Sequence, residues 1–363
     1  MHTARRRTVT TRVTALTGVL GLLTLTACSG GSEAGGDPTP SGTGAEAGGT
    51  VTLVTHDSFA VSDEVLAAFE AESGLTVEQI APGDGGALVN QLVLTKDSPL
   101  GDLVFGIDNT FATRAIDEGV LAPASPEGVS ASAAQYGVGD GELTAIDLGD
   151  VCINVDHTWF AAEGIEEPVT LEDLTKPEYE DLLVVTNPAT SSPGLAFLLA
   201  TVGAFGEDGW EEYWAQLVDN GVKVADGWSD AYYVDFSGVE GGPRPLVLSY
   251  STSPAFTVTE DGNESTTGAL LDTCFRQVEY AGVLAGAKNP EGAQQLLDFL
   301  LTEEFQADIP GSMYMYPADA DVALPEGWAE FAPLADEPID VAPDDITAHR
   351  DEWITAWTAT VIG

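Results

Sequence analysis

Two segments of this chain set aromatic rings beside hydroxyls, Gly227-Trp228-Ser229-Asp230-Ala231-Tyr232 and Ser249-Tyr250-Ser251-Thr252-Ser253-Pro254. Flat faces with donors and acceptors at their edges suit a planar organic molecule, and a ring desolvated against a cation contributes up to about 2 kcal/mol. Three further loops add charge and free donors. Asp57-Ser58-Phe59 and Asp84-Gly85 bring carboxylates, while Thr190-Ser191-Ser192-Pro193-Gly194 opens a helix whose unpaired amides suit an oxyanion or phosphate. Taken one at a time, these segments have plainer explanations: a helix cap at Ser192, and core filling by Trp228 and Tyr250.

Catalytic patterns do not accompany them. The chain has no GxSxG elbow, HExxH, P-loop or dinucleotide fingerprint between strand and helix. Paired carboxylates abound, but in so acidic a chain chance alone supplies them. His56, His157 and His349 are scattered, and no cysteine has CxxC or zinc spacing, so neither a metal nor a catalytic residue nor a cofactor is expected.

The start of the chain gives an address. Arg5, Arg6, Arg7 and Arg12 precede an apolar run, Val19 to Leu25, and Leu25-Thr26-Ala27-Cys28 reads as a lipobox. Residues 1–27 are then a lipoprotein signal peptide, Cys28 carries a lipid, and 28–49, rich in Ser, Gly, Glu, Ala, Pro and Thr, form a flexible tether. As a coil its 21 residues after Cys28 span about 25 Å. An extracytoplasmic protein anchored to the cell membrane by lipid is the expectation. Cys152 and Cys274 remain, in a compartment that permits disulfides. A bond between them on the second-lobe side of the crossover strands is expected, with two buried free thiols as the alternative.

Net charge is −47, with 12 basic and 59 acidic residues. Removing the four leader arginines leaves 8 basic residues and −51. Nucleic acid and anionic lipid surfaces would be repelled, whereas a cationic ligand or solubility in salt would be served.

These loops need a scaffold. Thr50 to Thr55, Leu75 to Ile80 and Leu103 to Gly106 alternate with helices capped at Ser62 and opened at Pro82-Gly-Asp-Gly-Gly86, a βαβαβ rhythm with a mainly parallel sheet. A second α/β unit follows, with strands at Val151 to Val155, Leu183 to Thr186 and Leu246 to Tyr250, and a helix from Pro193 capped by Ser192. Gln277 to Ala285 is a further strand, Asn289-Pro290-Glu291 starts a helix, and Asp344 to Val361 forms the last one. Some 310 residues exceed one usual core. The predicted fold is α/β with two lobes, two mainly parallel sheets joined by crossover strands near Asp147 to Asp150 and Val278 to Tyr280. Lobe I takes 50–147 and about 279–312, and lobe II takes 148–278. The segment 313–363 is unassigned.

At this point the residues resemble the thiamine-binding lipoproteins and periplasmic proteins of bacterial ABC transporters, in the two-lobed type II periplasmic-binding-protein superfamily. The likeness rests on Thr55-His56-Asp57-Ser58-Phe59, Gly106-Ile107-Asp108-Asn109, Thr190 to Gly194, Gly227-Trp228-Ser229, Leu248 to Pro254 and Met315-Tyr316-Pro317. It implies thiamine or its phosphate esters in the cleft, delivered by a monomeric receptor to an ABC permease. The implied contacts are Asp84, Gly85, Ser191, Ser192, Trp228, Tyr250, Ser251, Thr252, Ser253 and Pro254, with Asp57, Asp108, Asn109, Tyr232 and Tyr314 as additional ones. Trp228 and Tyr250 would stack on the ligand while Ser191 and Ser192 receive its hydroxyethyl or phosphate end. Three positions depart from the family: His56 and Leu148 replace tyrosines, and Tyr314 stands where tryptophan is common. Two alternatives remain. One is a ferric-iron receptor using Tyr232-Tyr233, weakened because only one of two neighbours on a strand points inward. The other is a lipid-anchored hydrolase.

Overall fold

The structure is a computed structural model that describes residues 49–363; the leader, Cys28 and the tether up to residue 48 lie outside the described residues. Ten strands follow in chain order: β1 (Thr50–Thr55), β2 (Thr76–Ile80), β3 (Leu103–Asp108), β4 (Leu121–Ala122), β5 (Thr144–Asp156), β6 (Leu183–Thr186), β7 (Lys223–Ala225), β8 (Leu246–Tyr250), β9 (Thr267–Leu284) and β10 (Tyr316–Pro317). Their order is β2-β1-β3-β9-β5-β8-β6-β7, with β4 on β9 and β10 on β5.

Two parallel triplets flank an antiparallel centre. β2, β1 and β3 pair in parallel, as do β8, β6 and β7, while β9 and β5 run antiparallel to each other between them. Parallel neighbours need crossovers. The Asp63–Ser73 and Gly85–Leu94 helices supply them in the first triplet, and Ser192–Phe205 and Trp210–Asp219 lie between β6 and β7. This is a two-lobed α/β fold whose lobes meet at β5 and β9.

The two long strands make the lobes inseparable. β5 has 13 residues, all buried, and β9 has 18. At about 3.4 Å per residue each outreaches a usual strand, so β9 pairs with β3 at one end while β5 pairs with β8. Hydrogen bonding is therefore continuous from triplet to triplet. One apolar cluster also crosses between the lobes, joining Leu88, Val89 and Leu92 to Val151 and Ile153 and onward to Leu195, Leu199 and Trp214. A second buried cluster, around Val51, Leu53 and Phe105, stands apart from it, as chain length suggests.

Helix starts follow local chemistry with two corrections. Ser62 precedes the Asp63–Ser73 helix, but its side chain makes no capping bond; its N–H instead donates to Asp308 Oδ2 at 2.8 Å. At the second correction Ser191, not Ser192, caps the helix that begins at Ser192, accepting from the Gly194 N–H at 3.3 Å. With Ser191 as cap, Pro193 stands at the second helical position and has no N–H to give, so the cap bond comes from Gly194 at the third.

The tail divides between the lobes. Met315 joins the buried cluster of Val51, Leu53 and Phe105, whereas the Pro343–Val361 helix packs Trp357 edge-on against Trp214, ring centroids 5.4 Å apart. Among the described residues no helix is long and apolar enough to cross a membrane.

Cys152 and Cys274 are bonded, with Cα atoms 4.3 Å apart. They sit where the β5–β9 register shifts between Val151 and Ile153. Thiol titration of the unfolded protein is expected to find neither reactive until reductant is added. Replacing both by serine is expected to remove about 2 to 4 kcal/mol from the unfolding free energy measured in urea, the range for a bond closing a long loop.

Candidate functional site

A cavity of about 220 Å³ lies where the two triplets face each other. One water needs on the order of 15 Å³ by this measure, so the space suits an organic molecule rather than a bare ion. Strand ends and helix starts deliver its lining, as the parallel topology requires.

Asp84 ties the lining together. It caps the Gly85–Leu94 helix through its bond from the Gly85 N–H, and its two oxygens reach across to the other lobe. Oδ1 accepts from the Ser192 N–H at 3.2 Å, and Oδ2 accepts from the Trp228 N–H at 2.9 Å. Burial pushes the Asp84 carboxyl up; the bonds from the Trp228 and Gly85 amides oppose this, and the net direction is upward. Gly85 permits the approach, because a Cβ there would stand 2.0 Å from Ser192 Oγ. The Ala87 N–H also donates to the Thr190 carbonyl at 2.9 Å, and Ser58 Oγ lies 3.3 Å from Ser229 Oγ.

This corrects the expectation for the helix start. The Ser192 amide is taken by Asp84 and the Gly194 amide by Ser191, so these donors are not free for an oxyanion. Ser191 is wholly buried, its hydroxyl donating to Thr186 Oγ1 at 2.8 Å. The Ser192 hydroxyl donates to Asp108 Oδ2. Asp108 is itself buried, which pushes its carboxyl up to about 6 against the opposing bonds from Ser192 and Thr110.

The rings face the cavity as a set. Trp228 stacks on Tyr232 with centroids 4.9 Å apart and planes 16° from parallel, leaving its other face uncovered by that ring. Its Nε1 donates to Ser249 Oγ at 2.8 Å, which fixes the indole orientation. Tyr250 meets Trp228 edge-on at 6.4 Å and accepts at its hydroxyl from Gln277 Nε2 at 3.0 Å. Tyr314 adopts φ 56°, a left-handed conformation uncommon outside glycine, and meets Phe256 edge-on at 5.3 Å.

Of the expected contacts, Asp84, Gly85, Ser192, Trp228, Tyr250, Thr252 and Ser253 line the cavity, joined by Tyr232 and Tyr314. The others are elsewhere. Ser191, Ser251 and Pro254 are buried behind the lining. Asp57 is exposed, Asp108 lies beneath Ser192, and Asn109 clasps β9 by donating to the Arg276 carbonyl and accepting from the Val278 N–H. Asp108 and Asn109 hold the frame, while Asp57 faces solvent.

Tyr232 and Tyr233 do not lie on a strand. Asp230–Asp235 is a π-helical turn, which lets both tyrosines border the cavity. The strand argument against iron is thereby overturned, but Tyr232 is buried and its phenol is pushed well up by that burial and by Tyr233. Without a metal, a phenolate there is disfavoured. Among the described residues no group of three or more His, Cys, Asp and Glu has metal-holding geometry.

Sequence reasoning missed Glu279, Phe256 and Met313 as cavity residues, and offered Tyr233 only for iron and Met315 only within a motif. Glu279 carried a signal, an acid within the apolar strand Val278-Glu279-Tyr280-Ala281. His56, noted earlier only as a departure, also lines the cavity, its Nε2 3.6 Å from Glu279 Oε2. Gly106, at φ 96°, makes room for that imidazole, since a Cβ would come within 2.2 Å of it. Burial pulls the His56 pKa down, yet Glu279 with Asp84 and Asp57 outweighs this and raises it overall.

Comparison with known proteins agrees with this architecture. The family described as bacterial extracellular solute-binding protein matches residues 98–335. The chain is 31% identical over 318 residues to the thiamine-binding periplasmic protein of Escherichia coli K12, covering 86% of this chain and 93% of that one. A solved periplasmic thiamin binding protein superposes with a TM-score of 0.76 at 30% identity, over 88% of this chain and 98% of its own. Iron-bound HitA from Pseudomonas aeruginosa reaches 0.67 at 22% identity over 86% of this chain and 99% of its own, a likeness of fold alone. With a match over more than half of its residues and a relative aligned along most of both chains, this protein belongs to the bacterial extracellular solute-binding family, whose members bind solutes rather than transform them.

Proposed function

We propose that this protein captures thiamine in the cleft between its lobes and presents it to an ABC permease, held to the cell membrane by a lipid on Cys28. The observation that carries the reading is the composition of the cavity wall. Trp228, Tyr232, Tyr250 and Tyr314 offer rings, Asp84 and Glu279 offer carboxylates, and among the described residues no Lys or Arg lines it. Thiamine combines a permanently cationic thiazolium with a flat aminopyrimidine. Rings attract the cation through their negative faces, and carboxylates suit both the charge and the exocyclic amine. The relatives' printed names support the same ligand.

A phosphate ester gains less from this wall. No Lys or Arg is present to meet the phosphate, and the Ser192 amide already bonds Asp84. Free thiamine is therefore the preferred occupant, with its phosphates as weaker ones. Mounting on a lipid would keep the loaded protein near its permease.

Calorimetry with thiamine tests the ligand. Binding is expected, and Trp228→Ala or Tyr250→Ala should each weaken it by about 1 to 3 kcal/mol through lost stacking and cation attraction. A folded Trp228→Ala protein that binds like the parent would overturn the assignment. Ser191→Ala should act as a lost helix cap, lowering stability by about 1 kcal/mol while leaving the preference between thiamine and thiamine monophosphate unchanged. For the anchor, Cys28→Ala is expected to shift the protein from the membrane pellet to the soluble fraction on cell fractionation.

A further inference from the structure

The floor of the cleft holds an arrangement that ligand stacking does not explain. Asp147 on β5 and Glu279 on β9 are register partners in the central ladder. Both are buried, and both oxygens of Asp147 lack any hydrogen-bond partner. A proton between the two carboxyls gives one of these orphaned oxygens a partner, since a carboxylic acid donates where a carboxylate cannot. Glu279 then continues the line upward. It lines the cavity, accepts from Gln277 Nε2 at 3.2 Å through Oε1, and points Oε2 toward His56. Beside it, the wholly buried Thr252 hydroxyl and the His56 Nε2 also lack hydrogen-bond partners at the cavity wall, as donors and acceptors waiting for an occupant do.

We propose that a proton held between Asp147 and Glu279 competes with the bound organic cation, so that capture releases the proton and release of the cation restores it. The proposal rests on the cationic ligand proposed above. A cation seated on Glu279 stabilises the charged form of every carboxyl near it and makes a proton on Asp147 costly. The proton leaves to solvent; the cation takes its place as the positive charge, and no bond in the ligand changes. Asp147 does not line the cavity, so its role is positioning through Glu279.

The titratable groups around the pair do not all act alike. Asp84 from the helix start, Asp108 from the end of β3 and Tyr250 from β8 favour a proton on it, whereas His56 from the end of β1, when charged, favours the carboxylate. Burial, and then Glu279, hold the Asp147 carboxyl well above the usual carboxylate range. An acid whose pKa is raised by folding stabilises the folded state at low pH, and that contribution fades as pH climbs from about 4 toward the raised value. A cation that lowers it again must bind more tightly as pH rises through the same window, by up to about tenfold per pH unit for one proton.

The test is calorimetry of thiamine binding to the parent and to Asp147→Asn at about pH 6 and about pH 8, in buffers of different ionisation enthalpy, which counts protons released. The parent should release a proton at the lower pH and bind more tightly at the higher. Asp147→Asn should still bind, release fewer protons and show a shallower pH profile, the remainder coming from His56, whereas Glu279→Gln should weaken binding at both pH values. Binding by the parent without proton release, or equal release by Asp147→Asn, overturns the inference while leaving the ligand assignment intact. If the parent binds no thiamine, the ligand assignment fails by itself. Carboxyl carbon NMR of the ligand-free parent then decides the proton, as it does if Asp147→Asn fails to fold: an Asp147 signal titrating in the ordinary carboxylate range overturns it.

Discussion

The antiparallel pairing of β5 with β9 is the constraint on which everything else depends. Eleven register pairs link the two strands, broken by shifts at Ala145/Asp147 and Val151/Ile153. Each shift is a local break in the ladder, and such breaks bend and twist the strand that carries them. The first stands beside Asp147 and Glu279 at the cleft floor, and the second stands beside the disulfide. Lobe position, cleft chemistry and covalent closure therefore lie along one pair of strands. The ladder also explains why polar groups are tolerated there: Asp150 is fully buried yet paired with Arg276, and also accepts from the Ala335 N–H at 2.7 Å.

Much of this was legible in the sequence where local chemistry decides the outcome. β1 follows from its apolar run, the Asp84-Gly85 helix start from its cap, and the cleft rings from their place at strand ends. What stayed hidden was long-range or masked by polarity. Val151 to Val155 reads as a strand and Asp147 to Asp150 as a crossover strand, but not as one strand starting at Thr144, because Asp147, Gly149 and Asp150 interrupt the apolar pattern although all are buried. β9 likewise begins ten residues before Gln277. Periodicity finds surfaces with one wet face, and these strands have none over most of their length.

At the site the same limit applies differently. Residue types identified an aromatic, acidic recognition surface, yet they could not say that Asp84 would spend its oxygens on amides of the other lobe. Nor could a strand assumption place Tyr232 and Tyr233, since a π-helical turn has no strong signature in one sequence. The protein's acidity, read as solubility or attraction for a cation, proves local as well as global. Both carboxyls that border the cavity, Asp84 and Glu279, stand where a positive ligand would neutralise them.

The bonds from Asp84 to the Ser192 and Trp228 amides belong to the protein alone. They reward the approach of the lobes before any ligand arrives, so part of the free energy of shutting the cleft is intrinsic. In a population view, the fraction of empty molecules already shut divides into the intrinsic dissociation constant, and a larger fraction means less affinity forfeited. The latch thus acts as a gain control on the receptor. Strengthening or weakening it would scale the affinity for every occupant by a common factor, whereas the rings and carboxylates decide which occupant is chosen.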